Sequence, residues 1–170
     1  ASDVYKRQAF GYAICFNEND VRCMGRDAAG VRGIMLTDGD YVVGAEKAEE
    51  GKTLLTVTQN GYGKRTALTE YLRTGPNGEK QAQSRGGKGL KNYNITPKTG
   101  NVAGCRVVSE SDDVMLIENG GVIIRIPASS INVYKRDVQG VIVMRIDDGN
   151  QVVSLERVEK MDEEETGEQA

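Results

Sequence analysis

The sequence predicts an all-β chain of propeller-like blades, each of about four antiparallel strands, and three observations predict it. The chain repeats itself without a gap at an offset of 110 residues, with a further copy in between. Asn-Gly pairs, the favoured closure of a tight hairpin, sit between β-rich runs. No stretch carries sustained helical periodicity; Leu68–Leu72 could make one helical turn at most.

The repeat is legible residue by residue. Residues 11–16 (GYAICF) align with 121–126 (GVIIRI), and the same offset carries Arg26-Asp27 onto Arg136-Asp137 and Gly30-Val31 onto Gly140-Val141. It then carries Asp38-Gly39 onto Asp148-Gly149 and Val42-Val43 onto Val152-Val153. In the middle copy, residues 61–66 (GYGKRT) match 121–126, Arg85 and Gly89 match Arg26 and Gly30, and Val102-Ala103-Gly104 matches Val42-Val43-Gly44. Its linker is longer by several residues around Thr74–Gly78. The mean period of about 55 residues lies at the long end for a propeller blade and is too long for leucine-rich or ankyrin units.

Taken in order, residues 1–8 read as a leader outside the repeat. Where the third copy has the apolar Asp113-Val114-Met115-Leu116-Ile117, the first has Asp3-Val4-Tyr5-Lys6-Arg7. Residues 9–48 then form an incomplete blade lacking its first strand, which leaves an unpaired edge. In the second blade, residues 49–108, Leu54–Thr58 runs to the turn at Asn60-Gly61. In the third, residues 109–158, Val114–Ile117 runs to Asn119-Gly120. Val31–Leu36 and Val141–Ile146 alternate in part and meet Asp-Gly turns, after which Val42-Val43 and Val152-Val153 open a further strand. The chain reads as a partial ring of about two and a half blades, followed by an acidic tail, residues 159–170, expected to be disordered.

Composition removes much chemistry. The 170 residues include 21 glycines and no histidine, which excludes Ser-His-Asp and Cys-His catalysis, His-bearing zinc sites and a histidine pH switch. Cys15, Cys23 and Cys105 are odd in number with no C-x-x-C spacing, as expected for thiols in a reducing cytoplasm. No apolar run approaches the ~20 residues of a spanning helix, so no membrane partner is expected. The net charge of −3 conceals an asymmetry: Asn60–Arg106 holds nine basic and two acidic residues, and Glu156–Ala170 holds seven acidic and two basic. A basic body with an acidic tail suits binding of a polyanion.

The candidate binding residues recur with the repeat. Arg26, Arg85 and Arg136 are each followed four residues later by glycine. The middle loop, Gln83-Ser84-Arg85-Gly86-Gly87-Lys88-Gly89, places three glycines between and beside cations, which suits close approach to phosphate. It equally suits a tight turn with solvated charges, and it is not a P-loop. Lys64-Arg65, Lys91, Arg125 and Lys135-Arg136 complete a predicted cationic rim that would hold a sugar-phosphate backbone by charge and curvature. Tyr62, Tyr71, Tyr93 and Tyr134 are expected to pack on strand faces. The acid pairs Asp38/Asp40, Asp112/Asp113 and Asp147/Asp148 are expected to support turns, with no metal site and no catalytic residue.

Gln59–Thr66 (QNGYGKRT), Arg85–Gly89 (RGGKG), Met24–Gly33 and Val138–Val141 resemble the family of DNA gyrase A C-terminal domains, over residues 9–160. The resemblance implies a β-pinwheel, a propeller-like ring of usually six blades that exchange strands, of which this chain would be the last part. It implies that double-stranded DNA wraps the basic rim and that the holoenzyme introduces negative supercoils at the expense of ATP. It also implies a bacterial, cytoplasmic heterotetramer formed with the remaining gyrase A domains and with gyrase B. The catalytic tyrosine, ATP and Mg2+ belong to those other parts, so this chain is expected to be non-catalytic and free of cofactor. The family's glutamine-led box, Q-R-R-G-G-K-G, sits in the first blade, whereas Gln83–Gly89 is a cousin in the penultimate one. The equivalent C-terminal domain of topoisomerase IV, and a propeller-type protein-interaction scaffold whose charges merely solubilise it, stay open as alternatives. The run Asp162–Glu165 is expected to compete with DNA for the rim.

Overall fold

The computed structural model describes residues 3–158. In chain order the strands are β1 (Asp3–Gln8), β2 (Tyr12–Asn17), β3 (Val42–Lys47), β4 (Thr53–Thr58) and β5 (Tyr62–Ala67). There follow β6 (Arg73–Thr74), β7 (Lys80–Gln81), β8 (Leu90–Lys91), β9 (Val102–Val108) and β10 (Asp113–Glu118). The last are β11 (Ile123–Pro127), β12 (Val141–Ile142) and β13 (Val152–Val158). Single 3-10 turns at Glu18–Asp20, Leu68–Tyr71 and Ala128–Ser130 are the only helical segments among the described residues, the second where one turn was expected. No helix of the described residues is long and apolar enough to cross a membrane.

The reading of residues 1–8 as a leader is corrected. Asp3–Gln8 pairs antiparallel with β2, from Asp3 opposite Asn17 to Arg7 opposite Ala13, and with β3 on its other side. It takes the place that β10 holds in the third copy. The same register slip recurs in all three copies, between Arg7 and Gln8, between Val57 and Thr58, and between Ile117 and Glu118. Strand ladders are made by main-chain groups that any residue carries, so two pairing neighbours suffice where apolar side chains are missing. The first blade is therefore complete, and the chain has three blade sheets instead of two and a half. The acidic tail, with the expected competition of Asp162–Glu165 for the rim, lies outside the described residues.

The sheets run β3-β1-β2-β8, β9-β4-β5-β12 and β13-β10-β11. The fourth strand of a blade comes from the next copy: β8 of the second copy pairs with β2 of the first, and β12 of the third pairs with β5 of the second. Of the two runs read as third strands, Val141–Ile146 is a strand only at Val141–Ile142, where it completes the preceding blade instead of its own, and Val31–Leu36 forms no strand. In the third sheet β11 forms the edge.

Neighbouring sheets meet through β3, β9 and β13, which pack side by side at the hub. Arg106 of β9 reaches Glu46 of β3 at 3.4 Å and Glu156 of β13 at 3.1 Å across that hub. Apolar side chains fill the spaces between sheets. Leu54, Cys105, Val107 and Tyr71 belong to one cluster, Leu55, Val57, Leu116 and Leu155 to a second, and Ile14, Phe16 and Ile34 form a smaller third. Each such Leu or Val contributes about 1.5–3 kcal/mol by leaving water. Since β3, β9 and β13 hold the hub, the exchanged strands β8 and β12 lie at the opposite, outer edge of their sheets.

Candidate nucleic-acid interface

Each exchanged segment is anchored at two points along the strand it joins. The Gln83 amide donates to the Cys15 carbonyl at 2.7 Å, and seven residues later Leu90 and Lys91 pair with Ala13 and Tyr12. In the next copy the Tyr134 amide donates to the Arg65 carbonyl at 2.8 Å, and Val141 and Ile142 pair with Gly63 and Tyr62. Between its anchors the chain leaves the ladder as a rim loop, residues 84–89 in one case and 135–140 in the other. The glycine closing each loop is structural. Gly89 has φ +79°, and a Cβ there would lie 2.4 Å from the Ala13 carbonyl oxygen; Gly140 has φ +78° and the same conflict at 2.5 Å with Gly63. Gly89, expected as a phosphate contact, is thus explained by strand exchange.

The rim arginines tie successive loops together. Arg85 donates from Nη1 to the Arg32 carbonyl at 3.2 Å and from Nε to the Asp20 carbonyl at 2.7 Å. Arg136 donates from Nη1 to the Lys91 carbonyl at 2.9 Å. Arg32 and Lys91 hold the same place, two residues beyond the glycine that closes their own loop. The second loop is further bound to the first copy by Gly86 N–H to the Gly33 carbonyl (2.7 Å) and Met35 N–H to the Gly87 carbonyl (2.9 Å). The structure thus joins Arg85, Gly86, Gly87, Lys88, Lys91, Lys135 and Arg136 along one edge, with Arg26 exposed at the equivalent position of the first copy. The Lys88 ammonium lies 4.8 Å from the Tyr12 ring centroid, and Lys91 Nζ is 3.1 Å from Asn94 Oδ1. Lys88, Lys91 and Lys135 are exposed.

Three expected rim cations stand elsewhere. Lys64 is fully buried: its Nζ donates to the carbonyls of Lys135, at 2.7 Å, and of Arg136, and lies 5.1 Å from the Tyr93 ring centroid. Burial, reinforced by the nearby Arg136 charge and opposed by Asp137, lowers its pKa to about 7. Arg65 is also buried, donating from Nε to the Ile131 carbonyl and from Nη1 to Glu110, both at 2.6 Å. The reason is their strand. β5 is covered on its outer side by the exchanged segment, so neither charge reaches the surface of the rim. Arg125 lies on the uncovered edge strand β11, half exposed and paired with Asp113 at 2.9 Å, apart from the stitched loops. Sequence could have shown the difference at Lys64, since the first and third copies carry Ile14 and Ile124 there.

Tyr62, Tyr71 and Tyr93 are buried packing residues, as expected, and burial pushes the Tyr93 phenol up. Asp40 supports its turn by accepting the amides of Phe10 and Tyr41. Sequence reasoning missed Tyr12 and the backbone carbonyls of Arg32 and Lys91, which became visible only through strand exchange.

A family described as DNA gyrase C-terminal domain, beta-propeller, matches residues 9–49, 52–80, 81–109 and 112–159. The chain belongs to that family. As a gyrase A C-terminal domain, its exchanged, propeller-like sheets are those of a β-pinwheel. The chain is 40% identical to the DNA gyrase A protein of Staphylococcus epidermidis (strain ATCC 12228) over 163 residues, 95% of this chain and 17% of that protein. It is 40% identical to the DNA gyrase A protein of Escherichia coli K12 over 158 residues, 92% of this chain and 17% of that protein. This gyrase A domain therefore spans under a fifth of the length of those relatives. A solved DNA gyrase A C-terminal domain superposes with a TM-score of 0.80 at 29% identity, covering 92% of this chain and 50% of that one. A crystal structure of the C-terminal domain of DNA topoisomerase IV superposes with a TM-score of 0.82 at 26% identity, covering 93% and 47%.

Proposed function

We propose that this chain is the DNA-wrapping module of a gyrase A protein. Double-stranded DNA follows the outer edge of the blades and is held by the exposed side chains of Arg26, Lys88, Lys91 and Lys135 together with the partly exposed Arg85 and Arg136. The observation that carries the reading is the pair of contacts from Arg85 to Arg32 and from Arg136 to Lys91, which makes successive cationic loops one track. Such a track addresses phosphates and curvature. Within the whole protein, the wrap would present a segment for passage, supporting ATP-dependent negative supercoiling in a bacterial cytoplasmic heterotetramer with the other gyrase A domains and gyrase B. ATP and Mg2+ would act there, and this chain would contribute no catalytic group. The 40% identity to gyrase A proteins over nearly the whole chain supports gyrase over topoisomerase IV.

The test is a titration of a linear duplex with the chain as salt rises from ~50 to ~200 mM, with the logarithm of affinity expected to fall by about 0.9 per neutralised phosphate for each logarithm of salt. Tight binding indifferent to salt, or no binding at low salt, rejects the reading. Sealing a nicked circle in the presence of the chain then separates wrapping from mere binding, because only wrapping shifts the topoisomer distribution.

A further inference from the structure

The loop 135–140 differs from its counterpart 84–89 in what lies beneath it. Under the second copy's loop is Ile14, whose Cδ1 comes within 3.8 Å of where a Gly87 Cβ would stand. There the Gly86 amide is already taken by the Gly33 carbonyl. Under the third copy's loop is the buried ammonium of Lys64, which draws in the carbonyls of Lys135 and Arg136. In a trans peptide the carbonyl and the following N–H point in opposite directions, and the described chain contains no cis bond. With both carbonyls turned inward, the amides of Arg136 and Asp137 face out. Neither donates to another described group.

Resting on the DNA-binding reading above, we propose that the amides of Arg136 and Asp137, with the Lys135 side chain, form a phosphate-binding notch in the rim, and that Lys64 is the positioning residue that sets it. The site thus lies in the loop without consecutive glycines. The glycine-rich loop Arg85–Gly89 has the composition for a phosphate cradle, but its Gly86 donor is turned onto the protein. Two successive N–H groups over a buried positive charge attract an anion as a short fixed dipole array. The Asp137 carboxylate is the opposing charge, and its removal should tighten the notch.

The groups facing Lys64 are Lys135, Arg136 and Asp137 from the loop, Tyr93 from the segment after β8, and Tyr62 on the same face of β5; Arg65 points to the opposite face, towards Ile131 and Glu110. Among them Lys64 is held near pH 7, while burial pushes Tyr93 the other way. An anion bound over Lys64 favours its protonated form. Duplex affinity should therefore fall as pH rises through about 7, by linkage.

The test uses the full chain and a linear duplex at fixed low salt. On titration, the amide NMR signals of Arg136 and Asp137 should shift downfield. Lys64→Met should weaken binding on the order of tenfold, the scale of a charge-assisted contact, and abolish the pH dependence. Asp137→Asn should strengthen binding. If Lys64→Met folds and binds with wild-type affinity and pH profile, the positioning role is overturned while DNA binding stands. If that variant does not fold, the wild-type chain decides: unmoved Arg136 and Asp137 amides, or affinity independent of pH between 6 and 8.5, overturn the notch. Absence of any duplex binding by the wild-type chain at low salt overturns the DNA reading itself.

Discussion

Arg136 donates from Nη1 to the carbonyl oxygen of Lys91, 2.9 Å away, and so fastens the third copy's rim loop to the second. Arg85 repeats the contact one blade earlier, to Arg32. A guanidinium suits this double duty. Its fork holds a carbonyl with one nitrogen and leaves another for phosphate, which a single lysine ammonium does less well.

Arg136→Lys is therefore predicted to weaken duplex binding although the charge is kept. Loss of the bridge frees the loops to separate, and a rim with fewer aligned contacts releases fewer counterions. Affinity and the steepness of its salt dependence should both decline in a salt titration. An unchanged slope would mean that the loops do not act as one surface.

Gly89→Ala tests the structural account of the glycine motif. A Cβ at φ +79° and 2.4 Å from the Ala13 carbonyl cannot be accommodated without moving β8 off β2. The expected loss is about 1–3 kcal/mol of unfolding free energy, measured in urea. Gly87→Ala, whose Cβ would make only ordinary contacts, with Ile14 Cδ1 at 3.8 Å and the Ser84 carbonyl at 3.9 Å, should cost much less. Equal costs at the two positions would contradict strand exchange as the reason for the closing glycine.

Lys64 gives stability a pH dependence of its own sign. A lysine whose folded pKa is lowered to about 7 burdens the fold fully below pH 7, and the burden lifts as pH climbs towards the ordinary lysine value. Unfolding free energy should therefore rise between pH 7 and 9, and Lys64→Met should flatten that rise. Urea unfolding at several pH values measures it. The trend runs opposite to the pH dependence expected for DNA binding, so fold and interface report on Lys64 independently.

The repeat made the blade order and the hub strands legible, because β3, β9 and β13 all begin at aligned Val-Val or Val-Ala pairs. It also located the rim loops through Arg26, Arg85 and Arg136. It did not show which copy a short strand serves. Val141 and Ile142 look the same in sequence whether they pair at home or with Gly63 and Tyr62 of the preceding copy. That one step of topology decides burial. It covers Lys64 and Arg65 and leaves the aligned Arg125 on an open edge. The first strand was hidden for a different reason. Asp3–Gln8 has no apolar alternation, yet β2 and β3 pair with its backbone on both sides.

The insertion in the second copy leads to the last prediction. From the third residue of the 3-10 turn to the rim arginine is a step of six residues in the first and third copies, Asp20 to Arg26 and Ser130 to Arg136, but of fifteen in the second, Glu70 to Arg85. The surplus corresponds to Arg73–Gln81, the small hairpin of β6 and β7. Its bonds close upon itself: Gly75 N–H reaches the Glu79 carbonyl at 2.8 Å, Asn77 N–H reaches Glu79 Oε2 at 3.0 Å, and Lys80 Nζ reaches Thr74 Oγ1 at 3.0 Å. The flanking contacts belong to residues outside it, such as Gln83, which holds the Cys15 carbonyl and donates from Nε2 to the Tyr71 carbonyl at 3.2 Å. Joining Leu72 directly to Ala82 restores the spacing of the other copies. The shortened chain should unfold cooperatively with stability within about 1 kcal/mol of the parent, since loop length alone changes closure entropy slowly. A collapse of stability on this deletion, read from urea unfolding, would show that the hairpin holds the rim segment in place.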